Sequence, residues 1–255
     1  MTGMQVSAIR RSVAAWLGAM VCMAVLSDAT ASVVITGTRV VYRETDPEVT
    51  VRITNDGKVP ALVQTWIDDG DDKQLPDASN APFTIVPPLF RLDPQKGQSL
   101  RLMYTREPLP ADRESLFWLN VLEVPPRDAG SANAPNVLRL VFRTRIKLFF
   151  RPAALPGNVL DAPATVQWRF ARNGNRYRLE ATNPSPYHVT FTRVAVKAAN
   201  GSWTEAQGAM VAPHGVAGFD MNDAGSAATG PLEVRYTYLD DYGAGKEGTF
   251  REKEK

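Results

Sequence analysis

Side chains that commonly perform chemistry in enzymes are scarce in this chain. Its 255 residues include two histidines, His188 and His214, in separate turn-rich contexts, and one cysteine, Cys22. The motifs G-x-S-x-G, H-E-x-x-H, G-x-x-x-x-G-K-[ST] and G-x-G-x-x-G are absent. A lone histidine near the start of a strand is more often a packed or surface residue than a catalyst. We therefore expect no enzyme activity, no catalytic residue and no cofactor.

An acidic run and the tryptophans raise the questions of a calcium site and a sugar-binding site. Residues 68–72 read DDGDD, but they lack the alternating ligands and the distal glutamate of an EF-hand calcium loop. We expect a solvated hairpin tip there and no metal site. Trp66, Trp118, Trp168 and Trp203 could stack on sugars, which leaves a carbohydrate-binding module as an alternative. Because Trp66 and Trp118 lie in alternating segments, packing in the core is the default expectation for them.

Three charged features lie within or next to apolar segments. Arg39 lies within TRVVY, the charged turn DRES at residues 112–115 leads into the apolar LFW, and Lys147 lies within RIKLFF. Taken singly, each could be a solvated charge or half of a surface ion pair, which contributes roughly 0–1 kcal/mol. The pattern alone assigns them no role.

One predicted strand among the elements that position these charges is unusually long. Residues 137–152 read VLRLVFRTRIKLFFRP, in which one parity is apolar except for Thr144 and the other carries arginines and Lys147. At roughly 3.3 Å per residue the strand would span about 45 Å, more than the depth of one small sandwich domain. A strand that extends beyond its own sheet and has one apolar face can complete the core of another molecule.

Shorter alternating segments predict an all-β protein, since no long run has helical periodicity. They recur between turn residues at the spacing of β-sandwiches. Besides the long strand, they are residues 38–42, 49–53, 61–67, 83–86, 100–104, 117–124, 165–170, 177–182, 189–196, 216–219 and 232–238. The segment PAALPG, residues 152–157, continues neither a strand nor a helix. We therefore predict two β-sandwich domains, residues 32–151 and 158–255, joined by this linker.

The first 31 residues have the pattern of a secretory signal peptide. Arg10 and Arg11 precede an apolar run at residues 13–26, and small residues follow up to Ala31, after which we expect cleavage. Removing this segment changes the formal charge from +2 to +1 and removes the single cysteine. No strong charge selects a nucleic acid, and no later segment is apolar enough to span a membrane. We expect an exported, soluble protein.

In their order along the chain, these segments resemble the PapD-like periplasmic chaperones of the chaperone–usher pilus pathway. The similarity covers nearly the whole mature chain and rests on TRVVY, VTVRITN, PALVQTWID, APFTIVPPLFRLDP, SLRLMY, LPADRESLFWLNVLEVPP, RIKLFFRP, NPSPY and DDYG. RIKLFFRP after DRESLFWLN is highly specific, whereas NPSPY alone is weakly so. The resemblance implies two immunoglobulin-like domains in an L-shaped arrangement. It also implies a periplasmic chaperone that folds and caps pilus subunits by donor-strand complementation and delivers them to an outer-membrane usher.

The resemblance further implies three groups of functional residues. An apolar group on the last strand of the first domain fills the groove of the subunit: Leu138, Leu140 and Phe142. A cationic pair binds the terminal carboxylate of the subunit: Arg39 and Lys147. A charge network fixes the angle between the domains: Glu114, Arg151 and Asp241.

The long strand leaves a question of geometry. Lys147 has the opposite parity to Leu140 and Phe142, so an unbroken strand places them on opposite faces. We expect a bulge or a strong twist near Thr144 to reconcile them. The later apolar residues, from Ile146 onward, should belong to the core of their own domain.

Two alternative functions and several details stay open. Besides the carbohydrate-binding module, a structural pilus subunit is an alternative, but subunits usually need a missing strand, an N-terminal donor extension and a disulfide, and this sequence shows none of these. The modest connection at residues 125–136 favours the short-loop branch of the family, which builds rod-like pili. Which subunit and usher are partners, and whether the free chaperone caps itself as a dimer, is open.

Overall fold

β-strands make up nearly all of the regular structure. The computed structural model describes residues 32–126, 140–173, 176–197, 201–221 and 231–252. The predicted signal peptide and Leu138 lie outside these ranges. The regular elements of the described residues are β1 (Val33–Ile35), β2 (Arg39–Arg43), β3 (Val49–Asn55), β4 (Ala61–Asp68), a 3-10 turn (Pro76–Ala78), β5 (Phe83–Val86), β6 (Leu89–Leu92), β7 (Gly97–Tyr104), β8 (Ser115–Val124), β9 (Phe142–Arg151), α1 (Ala162–Thr165), β10 (Gln167–Asn173), β11 (Arg176–Thr182), β12 (Val189–Lys197), β13 (Trp203–Gln207), β14 (Met210–Val211), β15 (Val216–Asp220), β16 (Glu233–Leu239) and β17 (Gly245–Arg251).

Strands β1 to β9 form the N-terminal sandwich. One sheet has the order β1-β3-β7-β5 and the other the order β2-β9-β8-β4-β6. The core between them contains Ile53 and Leu100 from the first sheet, and Val63, Leu119 and Leu148 from the second. Alternate residues of each strand supply this core, because successive side chains of a strand point to opposite faces of the sheet.

The first strand of this sandwich changes sheets at Gly37. β1 pairs antiparallel with β3, whereas β2 pairs parallel with β9. Gly37 lies between them with φ of +97°, in a region of backbone space that favours glycine. The change of sheet explains why β2 begins at Arg39 and covers only part of β9.

Strand β9 is therefore paired unequally along its length. It pairs with β8 from Phe142 to Phe150, but with β2 only from Lys147 to Arg151. Among the described residues, no strand pairs with the other edge of residues 142–146. We call residues 142–146 the free-edge segment. It is followed directly by Lys147, where pairing with β2 begins.

Strands β10 to β17 form the C-terminal sandwich. One sheet has the order β10-β11-β15, and the other has the order β13-β12-β16-β17 with β14 also paired to β12. Their shared core is aromatic at its centre, where the Trp168 ring lies 5.1 Å from Phe191 and 5.5 Å from Phe219 between ring centroids. Within the described ranges, no helix is long and apolar enough to cross a bilayer.

The predicted all-β architecture of two sandwiches is confirmed, with differences in detail. Three short strands, β1, β6 and β14, and the edge strands β13 and β17 were not predicted. The long strand begins at Phe142, since Leu140 and Val141 are described outside any strand. The predicted bulge near Thr144 is wrong, because the pairing of β9 with β8 is continuous from Phe142 to Phe150. Lys147 and Phe142 therefore lie on opposite faces of an unbroken strand.

Shortening Leu148 should destabilise the N-terminal sandwich strongly. Its side chain is 0% exposed, so Leu148→Ala leaves a cavity in the core. We expect the free energy of unfolding, measured by urea denaturation, to fall by about 2–5 kcal/mol. Leu140→Ala, at a position that is 57% exposed, is the matched control and should change it by less than about 0.5 kcal/mol. Equal losses for both variants would contradict this assignment of the core.

Candidate functional site

Arg39 and Lys147 lie side by side on one face of the sheet. They are directly paired residues of the parallel strands β2 and β9, and both side chains point away from the sandwich core. The Arg39 guanidinium carbon lies 5.6 Å from the centre of the Phe149 ring, and Lys147 Nζ lies 5.7 Å from the Trp118 ring. Two partly buried cations are thus held together on an aromatic surface.

Neither cation has an anionic partner among the described residues. Burial lowers the pKa of Lys147, and the positive charge of Arg39 lowers it further. Burial also lowers the pKa of Arg39, although the charges of Asp241, Asp240 and Glu114 oppose this. The buried Arg39 Nε has no hydrogen-bond acceptor in the part of the chain that the structure describes. An anion bound here would supply the missing acceptor and offset the repulsion between the cations, so the geometry suits a carboxylate.

A buried charge network lies at the junction of the two sandwiches. Arg151, at the end of β9, donates from Nε to Glu114 Oε1 at 2.7 Å. Its two terminal nitrogens donate to both oxygens of Asp241, at 2.7 and 2.8 Å. Burial alone would lower the pKa of Arg151, but the hydrogen bonds and charges of Asp241 and Glu114 outweigh it and raise the pKa. The structure thus brings together three residues that are far apart in the sequence.

His188 joins this network from the C-terminal sandwich. Its backbone nitrogen donates to Glu114 Oε2 at 2.8 Å, and its ring Nδ1 lies 3.2 Å from the same oxygen. The His188 ring also packs against Phe149, with 5.3 Å between the ring centroids. Sequence reasoning treated His188 as a packed or surface residue and missed Phe149. The run Leu148-Phe149-Phe150 was the available signal, because consecutive apolar residues in a strand indicate that both faces are covered.

The predicted donor residues that the structure describes are exposed. Leu140 is 57% exposed and lies just before the free-edge segment, and Phe142 is 45% exposed and is its first residue. Thr144, on the same face, is also exposed, whereas Ile146 is buried in the core. The core-facing side of β9 thus passes from buried to exposed at the point where β2 stops covering its edge.

Two tryptophans occupy the outer face of the same sheet, beneath arginines. The guanidinium carbon of Arg143 lies 4.8 Å from the Trp66 ring centre, and that of Arg145 lies 4.2 Å from the Trp118 ring centre. Trp66 is buried, as expected, but neither ring belongs to the core between the sheets, since both lie on the outer face. Trp66 shares its parity in β4 with Gln64, on the face opposite to the core residues of that strand, which was a signal for this placement.

Asp68 holds both arginines in place. Its side chain is 0% exposed, and its carboxylate accepts hydrogen bonds from both Arg145 and Arg143. It also accepts from Asn120 Nδ2 at 2.7 Å. Burial alone would raise the pKa of Asp68, but the hydrogen bonds from Arg145, Asn120 and the Gly70 amide outweigh it and lower the pKa.

The rest of the acidic run meets the expectation of a solvated tip, whereas Asp68 does not. Asp69, Asp71 and Asp72 are exposed, and Asp68 is buried. The difference arises because Asp68 is the last residue of β4 and points to the outer face, where Arg143 and Arg145 lie. In the part of the chain that the structure describes, no group of three or more His, Cys, Asp or Glu side chains is placed to hold a metal ion.

Both halves of the chain match known domain families. Residues 32–156 match the family described as pili and flagellar-assembly chaperone, PapD N-terminal domain. Residues 161–250 match the family described as pili assembly chaperone PapD, C-terminal domain. Chaperone protein FimB/FhaD of Bordetella pertussis is 43% identical over 240 residues, which cover 92% of this chain and 93% of that protein.

Similar proteins include solved structures. The probable fimbrial chaperone YadV of Escherichia coli K12 is 41% identical over 232 residues, covering 90% of this chain and 94% of that protein. The crystal structure of the YadV chaperone matches with a TM-score of 0.75 and 40% identity, over 87% of this chain and 100% of that one. A chain from the complex of the Salmonella enterica SafA pilin with the SafB chaperone matches with a TM-score of 0.70 and 26% identity, over 88% and 98% of the two chains.

Removing Arg151 should destabilise the junction between the sandwiches. Glu114 is 4% exposed, so Arg151→Met leaves a buried carboxylate with less compensation. We expect the free energy of unfolding to fall by about 3–5 kcal/mol in urea denaturation. Arg169→Met is the control, because the Arg169 side chain in its pair with Glu180 is 71% exposed and such a pair contributes at most about 1 kcal/mol. A loss no larger than that of the control would mean that the network contributes little.

Proposed function

Because the chain belongs to the PapD family of pilus-assembly chaperones, we propose that Arg39 and Lys147 hold the terminal carboxylate of a pilus subunit while the free edge of β9 completes its sheet. The protein is a fimbrial chaperone. Pilin binding is stated for a similar protein, since one of the matched structures is a complex of a pilin with its chaperone. We assign the same class of partner to this chain, with an outer-membrane usher as the recipient.

The observation that supports this proposal most directly is the unpaired cationic pair at the end of a free strand edge. A carboxylate there gains charge-assisted hydrogen bonds of roughly 1.5–3 kcal/mol each. It also provides an acceptor near the buried Arg39 Nε, which has none among the described residues. The anchored end fixes where the partner strand begins to pair with β9.

The free-edge segment would add backbone pairing and apolar burial. A partner strand beside residues 142–146 would form main-chain hydrogen bonds, as in other cases of strand addition. Exposed Leu140 and Phe142, with Leu138 outside the described residues, would enter the partner's groove, and each large apolar side chain buried contributes roughly 1.5–3 kcal/mol before ordering costs. Such pairing covers an edge and a core that would otherwise aggregate. No covalent bond is made or broken.

The network around Arg151 would keep the two sandwiches in a fixed relation. Its bidentate pairing with Asp241 and its contact with Glu114 link β9 to the turn after β16. Strand β9 carries both the donor segment and Lys147, so a fixed junction would present the cleft in one arrangement to the subunit. The L-shaped arrangement is part of this proposal.

Fimbrial chaperones of this pathway act in the periplasm, and we place this chain there too. Residues 1–31, with their signal-peptide pattern, support export. The domain assignment that we propose is residues 32–151 for subunit binding, 152–157 as the linker and 158–255 as the second sandwich. The connection that would indicate the short-loop branch lies largely outside the described residues.

Replacing either anchor cation should weaken binding of a free chain end. As a probe we choose a synthetic peptide with alternating apolar residues and a free C-terminal carboxylate, and its C-terminally amidated form. Arg39→Ala and Lys147→Ala should each weaken binding of the free-acid peptide by about 10- to 100-fold in calorimetry, equivalent to about 1.4–2.8 kcal/mol. Arg52→Ala, at an exposed position of β3, is the control. Equal affinity of the wild type for both peptide forms would rule out the carboxylate anchor.

Truncating Phe142 should weaken capture without unfolding the chaperone. The side chain is 45% exposed, so Phe142→Ala should change the free energy of unfolding by less than about 1 kcal/mol. The same peptide should bind about tenfold more weakly, since it loses one large apolar contact. Leu75→Ala, which removes a 70% exposed side chain outside β9, should bind normally. Normal binding by Phe142→Ala would exclude this residue from the donor segment.

A further inference from the structure

We propose that Asp68 is a positioning residue for subunit capture, which holds the free-edge segment of β9 in strand conformation from two strands away. This inference rests on the proposed function and adds a residue to it. Asp68 touches neither the anchor pair nor the exposed donor residues in any described contact. It acts through Arg143 and Arg145, which lie within the segment that has β8 on one side and no described strand on the other.

The free-edge segment needs support that the rest of β9 does not. Residues 147–150 are paired on both sides, by β2 and β8, whereas residues 142–146 are paired by β8 alone. Of the segment's three core-facing side chains, Phe142 and Thr144 are exposed and contribute little packing, and Ile146, at the end next to β2, is buried in the core. A strand held by one ladder and few apolar contacts opens locally at low cost. Ordering it on binding would then reduce the affinity for a partner strand.

The outer face supplies this support through side chains. Arg145 Nε donates to Asp68 Oδ2 at 3.0 Å, and a terminal nitrogen of Arg145 donates to the other oxygen. Arg143 Nε donates to Asn120 Oδ1 at 2.8 Å, while Asn120 Nδ2 donates to Asp68. One buried carboxylate of β4 therefore ties two alternate residues of β9 across the intervening strand β8.

Aromatic stacking completes the restraint. Each of the two guanidinium groups lies over a tryptophan ring of β4 or β8, a geometry that limits where the arginine can move. Arg145 and Lys147 both lie near the ring of Trp118. Asp68 balances the charge of Arg145, whereas Lys147, like Arg39, has no anionic partner among the described residues. The arrangement directs an incoming carboxylate to the anchor pair and away from Arg145.

The test compares Asp68→Asn with Asp69→Asn in the mature protein. Both variants lose one negative charge, but Asp69 is exposed. In amide hydrogen exchange, Asp68→Asn should accelerate by about tenfold those amides of residues 142–146 that are protected in the wild type, because a charged hydrogen-bond partner is lost. Residues 147–151 should exchange as before. The association rate of the free-acid peptide defined above should fall by about tenfold.

Each remaining outcome decides between the alternatives. Unchanged exchange at residues 142–146, or a peptide association rate equal to that of Asp69→Asn, would overturn the positioning role. If Asp68→Asn accelerates exchange equally throughout the N-terminal sandwich, and the folded fraction binds the peptide normally, then Asp68 only stabilises the fold and the positioning role is overturned. If the wild type fails to bind the peptide, the proposed function fails, while the exchange measurement still decides the restraint. Arg145→Lys, which keeps the charge and loses the bidentate geometry, should give a smaller change in the same direction if Asp68→Asn does not fold.

Discussion

The parallel pairing of β2 with the second half of β9 is the constraint on which the site depends. It places Arg39 directly beside Lys147, and it stops where the chain turns at Gly37 into the other sheet. The same pairing therefore creates the cationic pair and leaves the preceding residues of β9 with one free edge. A longer β2 would cover the free edge of residues 142–146, and a shorter one would separate the two cations.

Electrostatic interactions divide the outer face of this sheet into two kinds of positive charge. Arg143, Arg145 and Arg151 are compensated by buried carboxylates. Arg39 and Lys147 share the same face without such partners among the described residues, and burial lowers the pKa of both. Since an uncompensated buried charge is costly, the pair is the place on this face where an external anion gains most. The compensated arginines already have anionic partners within the chain and would gain less from an external anion.

Local sequence patterns predicted the sandwiches well and the contacts between strands poorly. The alternation around Ile146 and Leu148 identified core residues because period-two burial is a local property. The contact of Arg151 with Glu114 and Asp241 joins residues from both sandwiches, so no spacing in the sequence encodes it, and the family resemblance alone suggested it. Asp68 was misjudged because its acidic neighbours indicated a solvated turn. Its burial depends on arginines that reach it from β9, across β8.

The unbroken pairing of β9 limits how the ends of its partners can vary. If Arg39 and Lys147 hold the last carboxylate, each residue of the partner is counted from that end. Adding one residue to the partner's C-terminus would turn every apolar side chain of its last strand to the opposite face. Changes in length near that terminus would be tolerated more readily in pairs. We therefore expect the number of residues between a subunit's C-terminus and its groove to vary less among subunits than the identity of those residues.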